Sequence, residues 1–177
     1  MAQVVDYDPA WPGRFVEEQA RLYAALGRAA VRIEHIGSTS VPGLAAKPVI
    51  DILVGTLDLS ALDRRNDAMV QAGYQLRGEN GIEGRRYYRR HHPDGTRLAH
   101  VHAFREDSDG FRRHLAFRDY LRAHPDVASA YGRHKLVIVA AGLVRRADYA
   151  ARKAVFVSRI EQDATAWRDR LAAAAPD

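Results

Sequence analysis

At 177 residues the chain is about one domain long, enough to bury roughly 70% of its unfolded surface without help from metals or disulfides. Its 47% hydrophobic and 28% charged residues exclude collagen-like, low-complexity and wholly disordered classes, and the absence of cysteine excludes a disulfide scaffold. A net charge of +5, spread along the chain without a long basic run, favours anionic partners and fits phosphorylated small molecules as well as nucleic acid. No window approaches about 18 uncharged apolar residues. Asp6, Asp8 and Pro9 stand where a signal peptide would carry a basic start and an apolar run, so a cytoplasmic protein without membrane spans is expected.

In chain order, Trp11 to Ala30 places Phe15, Gln19, Leu22 and Leu26 at helical intervals, with Pro12 tolerated in the first turn and Gly27 near the stop. Val31 to Ile36 (VRIEHI) alternates and is β-branched, and Pro48 to Val54 (PVIDILV) is an almost continuous apolar run broken by one carboxylate; both read as strands, the second buried. Between them, Gly37 to Lys47 (GSTSVPGLAAK) opens with turn chemistry and leaves room for one helical turn. Ser60 to Ala72, closed by Gly73, predicts a second helix. Tyr74 to Arg77, Arg85 to His91 and Arg97 to Arg105 read as three further strands, the last two joined by an HPDG turn at His92 to Gly95. From Asp109 the pattern is helical, in segments beginning near Asp109, Pro125 and Arg145, the last reaching towards Leu171 ahead of a disordered tail, AAAAPD. The order predicts one α+β domain over residues 1–177: a small mixed sheet with an N-terminal helix and a C-terminal helical segment packed on it, the helices gathered on one side.

One arrangement carries a mechanism. Gly37 and Ser38 end the first strand, where glycine permits close backbone approach and the following amides, with the hydroxyls of Ser38, Thr39 and Ser40, can donate to phosphate oxygens. Asp51 stands within an apolar run, where an unpaired carboxylate is costly to bury, so it either binds a metal, or caps or pairs with an arginine in the core. His100 and His102 share one face of a strand. With Asp51 they could hold Zn²⁺ or another transition metal or do acid–base work; equally, they could line a cleft or lie on a half-exposed strand. His35, beside the turn, reads as a structural histidine. Arg86, Tyr88 and Arg90 share a strand face that can clamp phosphate or stack a base, or form a salt-bridged edge. Only three of the 27 cations are lysine, Lys47, Lys135 and Lys153, and a compact ammonium kept at three places in an arginine-using chain marks those positions. His91, His92, His114, His124 and His134 carry no recognisable spacing and read as structural or exposed.

The run EHIGSTSVPGLAAKPVIDILV, Glu34 to Val54, resembles the signature of the GrpB-like family, whose members resemble the nucleotidyltransferase superfamily of polymerase beta-type and aminoglycoside-modifying enzymes. RRYYRR (Arg85 to Arg90), AHVHAF (Ala99 to Phe104), FRDYLRAHP (Phe117 to Pro125), YGRHK (Tyr131 to Lys135) and DYAARKAVFV (Asp148 to Val157) extend the resemblance over nearly the whole chain. The superfamily pattern is a hydrophobic residue, Gly, Gly or Ser, about a dozen residues, then two acidic residues one apart on a strand. Ile36, Gly37, Ser38 and Asp51 meet it, and Leu53 holds the second acidic place. Side chains two apart on a strand share a face, so paired carboxylates there would hold divalent metals against nucleotide phosphates. Leucine cannot ligate, which leaves one Mg²⁺ bridging Asp51 and the phosphates. The AHVHAF strand corresponds to the superfamily's third-carboxylate strand, and Lys135, Lys153, Arg118 and Tyr131 resemble family positions facing the cleft. Members also occur appended to dephospho-coenzyme A kinase, which implies nucleotide or coenzyme metabolism.

The leading expectation is a nucleotidyltransferase-like fold that binds a nucleotide or other phosphorylated small molecule between the sheet and the C-terminal helices, with nucleotidyl transfer as its catalytic version. Gly37, Ser38, Thr39 and Ser40 would hold the phosphates, Asp51 would bind Mg²⁺, Lys47, Arg86, Tyr88 and Lys135 would contact the ligand, and His102 would be the general base. A non-catalytic ligand-binding module that lost the paired acids, with Leu53 as its mark, is the first alternative. A metal-dependent hydrolase built on Asp51, His100 and His102 is another. Nucleic-acid binding rests only on charge and the Arg/Tyr strand and is not expected.

Overall fold

The computed structural model describes residues 4–141 and 146–174. Its first helix, α1 (Trp11–Leu26), carries Pro12 in the first turn, where the missing amide costs nothing, and stops at Gly27, whose φ of +56° disfavours a side chain. A 3₁₀ turn, Gly27–Ala29, replaces the last turn of the helix predicted to Ala30. The strands are β1 (Arg32–Ile36), β2 (Ile50–Thr56), β3 (Gln75–Leu76), β4 (Arg86–His91) and β5 (Arg97–Arg105). They form one sheet in the order β1-β2-β5-β4-β3, with β2 and β5 parallel and the other neighbours antiparallel. The HPDG turn closes the β4–β5 hairpin as expected, Gly95 N–H donating to His92 C=O at 2.9 Å.

The predicted helix over Ser60 to Ala72 is two short ones, α2 (Leu59–Asp63) and α3 (Asn66–Gln71). Asp58 caps the first by accepting from the Ser60 amide. The break falls where the Arg65 amide reaches back only to Leu62 C=O and its side chain donates to Ala25 C=O of α1 at 2.8 Å, fastening the two layers there. The C-terminal helices are α4 (Asp109–Ala123), capped by the Ser108 hydroxyl, α5 (Pro125–Ala140) and α6 (Arg146–Ala174). The start expected near Arg145 lies outside the described residues. Ala172 to Ala174 of the expected tail are helical, and the residues beyond lie outside the description.

The helices are not gathered on one side. α1, α2 and α3 cover one face of the sheet, where Ile33, Ile52, Val54 and Val101 pack under Trp11, Leu22, Leu62 and Met69. α4 covers part of the other, where Ile36, Leu53 and Phe104 pack under Phe111 and Leu115. The reason is in the strands: β2 is apolar at consecutive positions, so both its faces demand cover. α4, α5 and α6 are joined through Leu121, Tyr131 and Ile160, which also take in Val41 and Leu44 from the segment after the Gly37 turn. Among the described residues no helix is long and apolar enough to cross a membrane.

Candidate functional site

The half of the second face that α4 leaves uncovered begins where β1 ends. Gly37 has φ +70° and ψ −171°, a conformation essentially reserved for glycine, and a Cβ there would stand 2.5 Å from Asp51 Oδ2. Only glycine lets the 3₁₀ turn Ser38–Ser40 close against β2. In the sheet register Ile36 lies opposite Asp51, and Asp51 opposite His100, so the turn, the carboxylate and the imidazole stand at one level across three strands. His100 Nδ1 lies 3.1 Å from Asp51 Oδ1; a carboxylate can only accept, so Nδ1 carries the proton. Burial would raise the Asp51 pKa, but the hydrogen bond from His100 and electrostatic interaction with His100, His102 and Lys153 hold it below the ordinary carboxylate range. His100 Nε2 is buried without a hydrogen-bond partner.

These groups open into a cleft of about 440 Å³ between the sheet and α4, α5 and α6. Ser38, Asp51, His100 and His102 line its sheet side, His114 and Phe117 come from α4, and Tyr131 and Lys135 from α5. Lys47, Lys153 and Arg97 complete a cationic lining, so all three lysines of the chain stand at this one cleft. Lys135 is only 2% exposed; its Nζ donates to Ser38 Oγ at 2.9 Å and lies 4.3 Å from the centroid of the Tyr131 ring. Burial and the neighbouring Lys153 pull its pKa down to about 7, against the opposing pull of Asp51.

Other expected site residues are not brought there. Arg86, Tyr88 and Arg90 do share a face, but it is the face under α1, α2 and α3. Arg86 grips both carboxylate oxygens of Asp63 at 2.6 and 2.8 Å, Tyr88 is core, and Arg90 donates to Glu18. Buried and half-buried acids on the helices draw these arginines to that side, leaving Tyr87 and Arg89 on the cleft's side of β4. Thr39 does line the cleft, whereas Ser40 does not, and the hydroxyls of both are engaged within the turn. Thr39 donates to Val49 C=O and accepts from His35 Nε2–H at 3.0 Å, and Ser40 donates to Gly37 C=O at 2.7 Å. His35 is therefore structural as expected: it stacks on Phe15, and burial pushes its pKa down to about 4.

Nor do Asp51, His100 and His102 converge on a metal. Among the described residues no group of three or more His, Cys, Asp or Glu side chains is placed to hold one. His102 stands level with Leu53, one pair further along the sheet. Its Nδ1 faces the Arg85 guanidinium at 3.4 Å; since arginine cannot accept, the imidazole proton sits on Nε2. Burial foremost, then the charges of His114 and Arg85, pushes its pKa down to about 3 despite Asp51. His102 is thus held neutral, with its Nδ1 facing Arg85 and its Nε2–H a donor. Sequence reasoning also passed over Arg85, Arg97 and His114. For His114 a signal existed, because it shares the buried stripe of α4 with Phe111, Leu115 and Arg118. For Arg85, nothing in the spacing told of a buried guanidinium held by the carbonyls of Glu79 and Asn80.

The chain superposes on Cid1, solved in complex with its short product ApU, with a TM-score of 0.51 at 9% identity, over 76% of this chain and 41% of that one, so its α+β fold is nucleotidyltransferase-like. A family profile described as GrpB protein matches residues 1–163, and the chain belongs to that family. The crystal structure of the conserved protein GrpB from Enterococcus faecalis matches with a TM-score of 0.86 and 40% identity, over 92% of this chain and 96% of that one. The UPF0157 protein YqkA of Bacillus subtilis is 37% identical over 94% of this chain, which spans 48% of YqkA. The UPF0157 protein SCO7215 of Streptomyces coelicolor is also 37% identical, over 92% of this chain and 84% of its own length. A dephospho-CoA kinase of Mycolicibacterium paratuberculosis is 30% identical over 73% of this chain, which spans 37% of that protein.

Proposed function

We propose that the cleft binds a nucleotide or related phosphorylated small molecule, with the phosphate charge met chiefly by lysine. The observation that carries this is the gathering of Lys47, Lys135 and Lys153 around one cleft in a chain whose cations are otherwise arginine. A buried amine whose charge is costly gains most from an incoming anion, so Lys135 is the principal contact and Ser38 its neighbour on the turn. The apolar side of the cleft, from Ile36, Val49, Phe117, Tyr131 and Val157, suits a base or other organic group. The fold shared with Cid1 and the likeness to part of a dephospho-CoA kinase support the nucleotide class.

A paired-metal centre does not fit these residues. The second acidic position is Leu53, fully buried beneath α4, and one Asp51 oxygen is engaged by His100. A single Mg²⁺ held by Asp51 and the ligand's own phosphate oxygens fits the donor set, and would screen charge. The binding-module reading is therefore preferred to nucleotidyl transfer. It is tested by thermal stabilisation of wild type, Lys135→Met and Asp51→Asn with nucleoside triphosphates, dephospho-coenzyme A and inorganic phosphate, each with Mg²⁺ or chelator. A ligand at about 100 times its Kd stabilises by roughly 2.7 kcal/mol, so a bound nucleotide is expected to raise Tm by several degrees. The shift should vanish in Lys135→Met and persist in part in Asp51→Asn; a flat panel with wild type removes the reading.

A further inference from the structure

The Lys135 amine has a partner on the protein itself. Its Nζ sits 2.9 Å from Ser38 Oγ. Ser38 is held at the start of a tight turn directly after β1, half-buried and lining the cleft, by a glycine conformation that no other residue would readily adopt. The two groups come from opposite walls, the turn and α5, and α5 is fixed by packing of Tyr131 against Phe117 and Phe156. A serine with a buried amine at hydrogen-bond distance, in a cleft with room for a small molecule, is an activated-nucleophile arrangement. Neither histidine competes for the role. His100 donates its Nδ1–H to Asp51 and has Nε2 buried, and His102 carries its proton on Nε2.

We propose that Ser38 and Lys135 form a nucleophile–base pair acting on carboxylic esters that carry an anionic group. In the first step Ser38 Oγ bonds to the ester carbonyl carbon while its proton passes to the neutral Lys135 amine. The tetrahedral oxyanion then collapses, the carbon–oxygen bond to the alcohol breaks, and Lys135 returns the proton to the departing oxygen. Water, deprotonated by the same amine, releases the acid from Ser38 and restores both groups. The anionic group of the ester is matched by Lys47, Lys153 and Arg97, which line the same cleft. Lys135 is poised for this duty, because with a pKa near 7 it is neutral in a large fraction of molecules at neutral pH.

The pair shares Ser38 and Lys135 with the nucleotide reading without resting on it, and a covalent probe separates the two. A fluorophosphonate transfers phosphorus to an activated serine with loss of fluoride, and intact-mass and peptide mass spectrometry locate the adduct. One adduct on Ser38 is expected in wild type, absent in Ser38→Ala, and formed about 100-fold or more slowly in Lys135→Met. The wild-type labelling rate should rise as pH is raised through about 7, which needs no variant to fold. No adduct on Ser38, an equal rate in folded Lys135→Met, or a rate flat between pH 6 and 9 overturns the pair. Labelling without stabilisation by any nucleotide upholds it and overturns only the nucleotide reading; the reverse result does the opposite.

Discussion

The two faces of β2 and β5 are built from the same alternation and solve opposite problems. Towards α1, α2 and α3 the strands present Ile50, Ile52 and Val54 beside Ala99, Val101 and Ala103, an apolar stretch that ends at Thr56 and Arg105. Towards α4 they present Asp51 and Leu53 beside His100, His102 and Phe104, polar where the strands begin and apolar where α4 sits. Charge follows the same division. On the first side charges are matched: Glu18 accepts from Tyr74 and Arg90, and Asp63 holds Arg86. On the cleft side Lys135 is buried with the Ser38 hydroxyl as its hydrogen-bond partner, along a lining it shares with Lys47, Lys153 and Arg97. Matched charges fasten layers together; a buried amine held by a neutral hydroxyl carries a cost that an anionic ligand relieves.

The largest effect is expected from unmatching a charge on the side under α1, α2 and α3. Glu18 is 3% exposed, and the Tyr74 hydroxyl that donates to it at 2.6 Å is buried too, its pKa raised by burial and by that bond. Glu18→Ala leaves the Arg90 guanidinium and the Tyr74 hydroxyl without their acceptor, and is expected to cost about 3–5 kcal/mol in urea or thermal unfolding. A loss below about 1 kcal/mol would show that water already satisfies these groups and that the side is not closed.

Next in size is a change where the two faces meet. Gly37→Ala puts a methyl group against Asp51 and a side chain at φ +70°, so about 1–3 kcal/mol of stability is expected to go. Because the turn must retreat from Asp51, Ser38 moves away from Lys135 as well. Nucleotide stabilisation and fluorophosphonate labelling should therefore fall by more than the stability change accounts for. A stable variant that labels at the wild-type rate would show that the turn tolerates the displacement.

How much of this was legible in the chain depends on the range of the deciding interaction. The alternation in AHVHAF places His100 and His102 together, the Gly-Ser turn announces itself, and scarcity singled out the lysines, all from local features. For β4 the alternation told which residues share a face but not which face is inward, because Arg and Tyr occur on both. The choice is made by Asp63 and Glu18, 23 residues from Arg86 and 72 from Arg90 along the chain. The same limit hid the two-sided covering of the sheet, which follows from packing β2 on both faces. It also hid the tautomer of His102, which depends on a guanidinium from the loop before β4.

The smallest expected effect sharpens the comparison by placing one neutral histidine on each side. His35, stacked on Phe15 of α1, is held down to about 4, and His102, in the cleft, to about 3. The unfolded chain protonates such a ring near pH 6.5 whereas the folded one does not, so each contributes stability that is present above pH 6.5 and is lost as pH falls towards its folded pKa. At pH 5 the loss is about 2 kcal/mol per ring at most. His35→Gln and His102→Gln should each flatten the decline of Tm between pH 7 and pH 5, leaving the remainder to the other ring. The two differ in response to ligand: a phosphate beside His102 favours its charged form, so saturating nucleotide should flatten the decline for wild type and His35→Gln but do little in His102→Gln. An equal effect of nucleotide in both variants would place the bound anion away from β5.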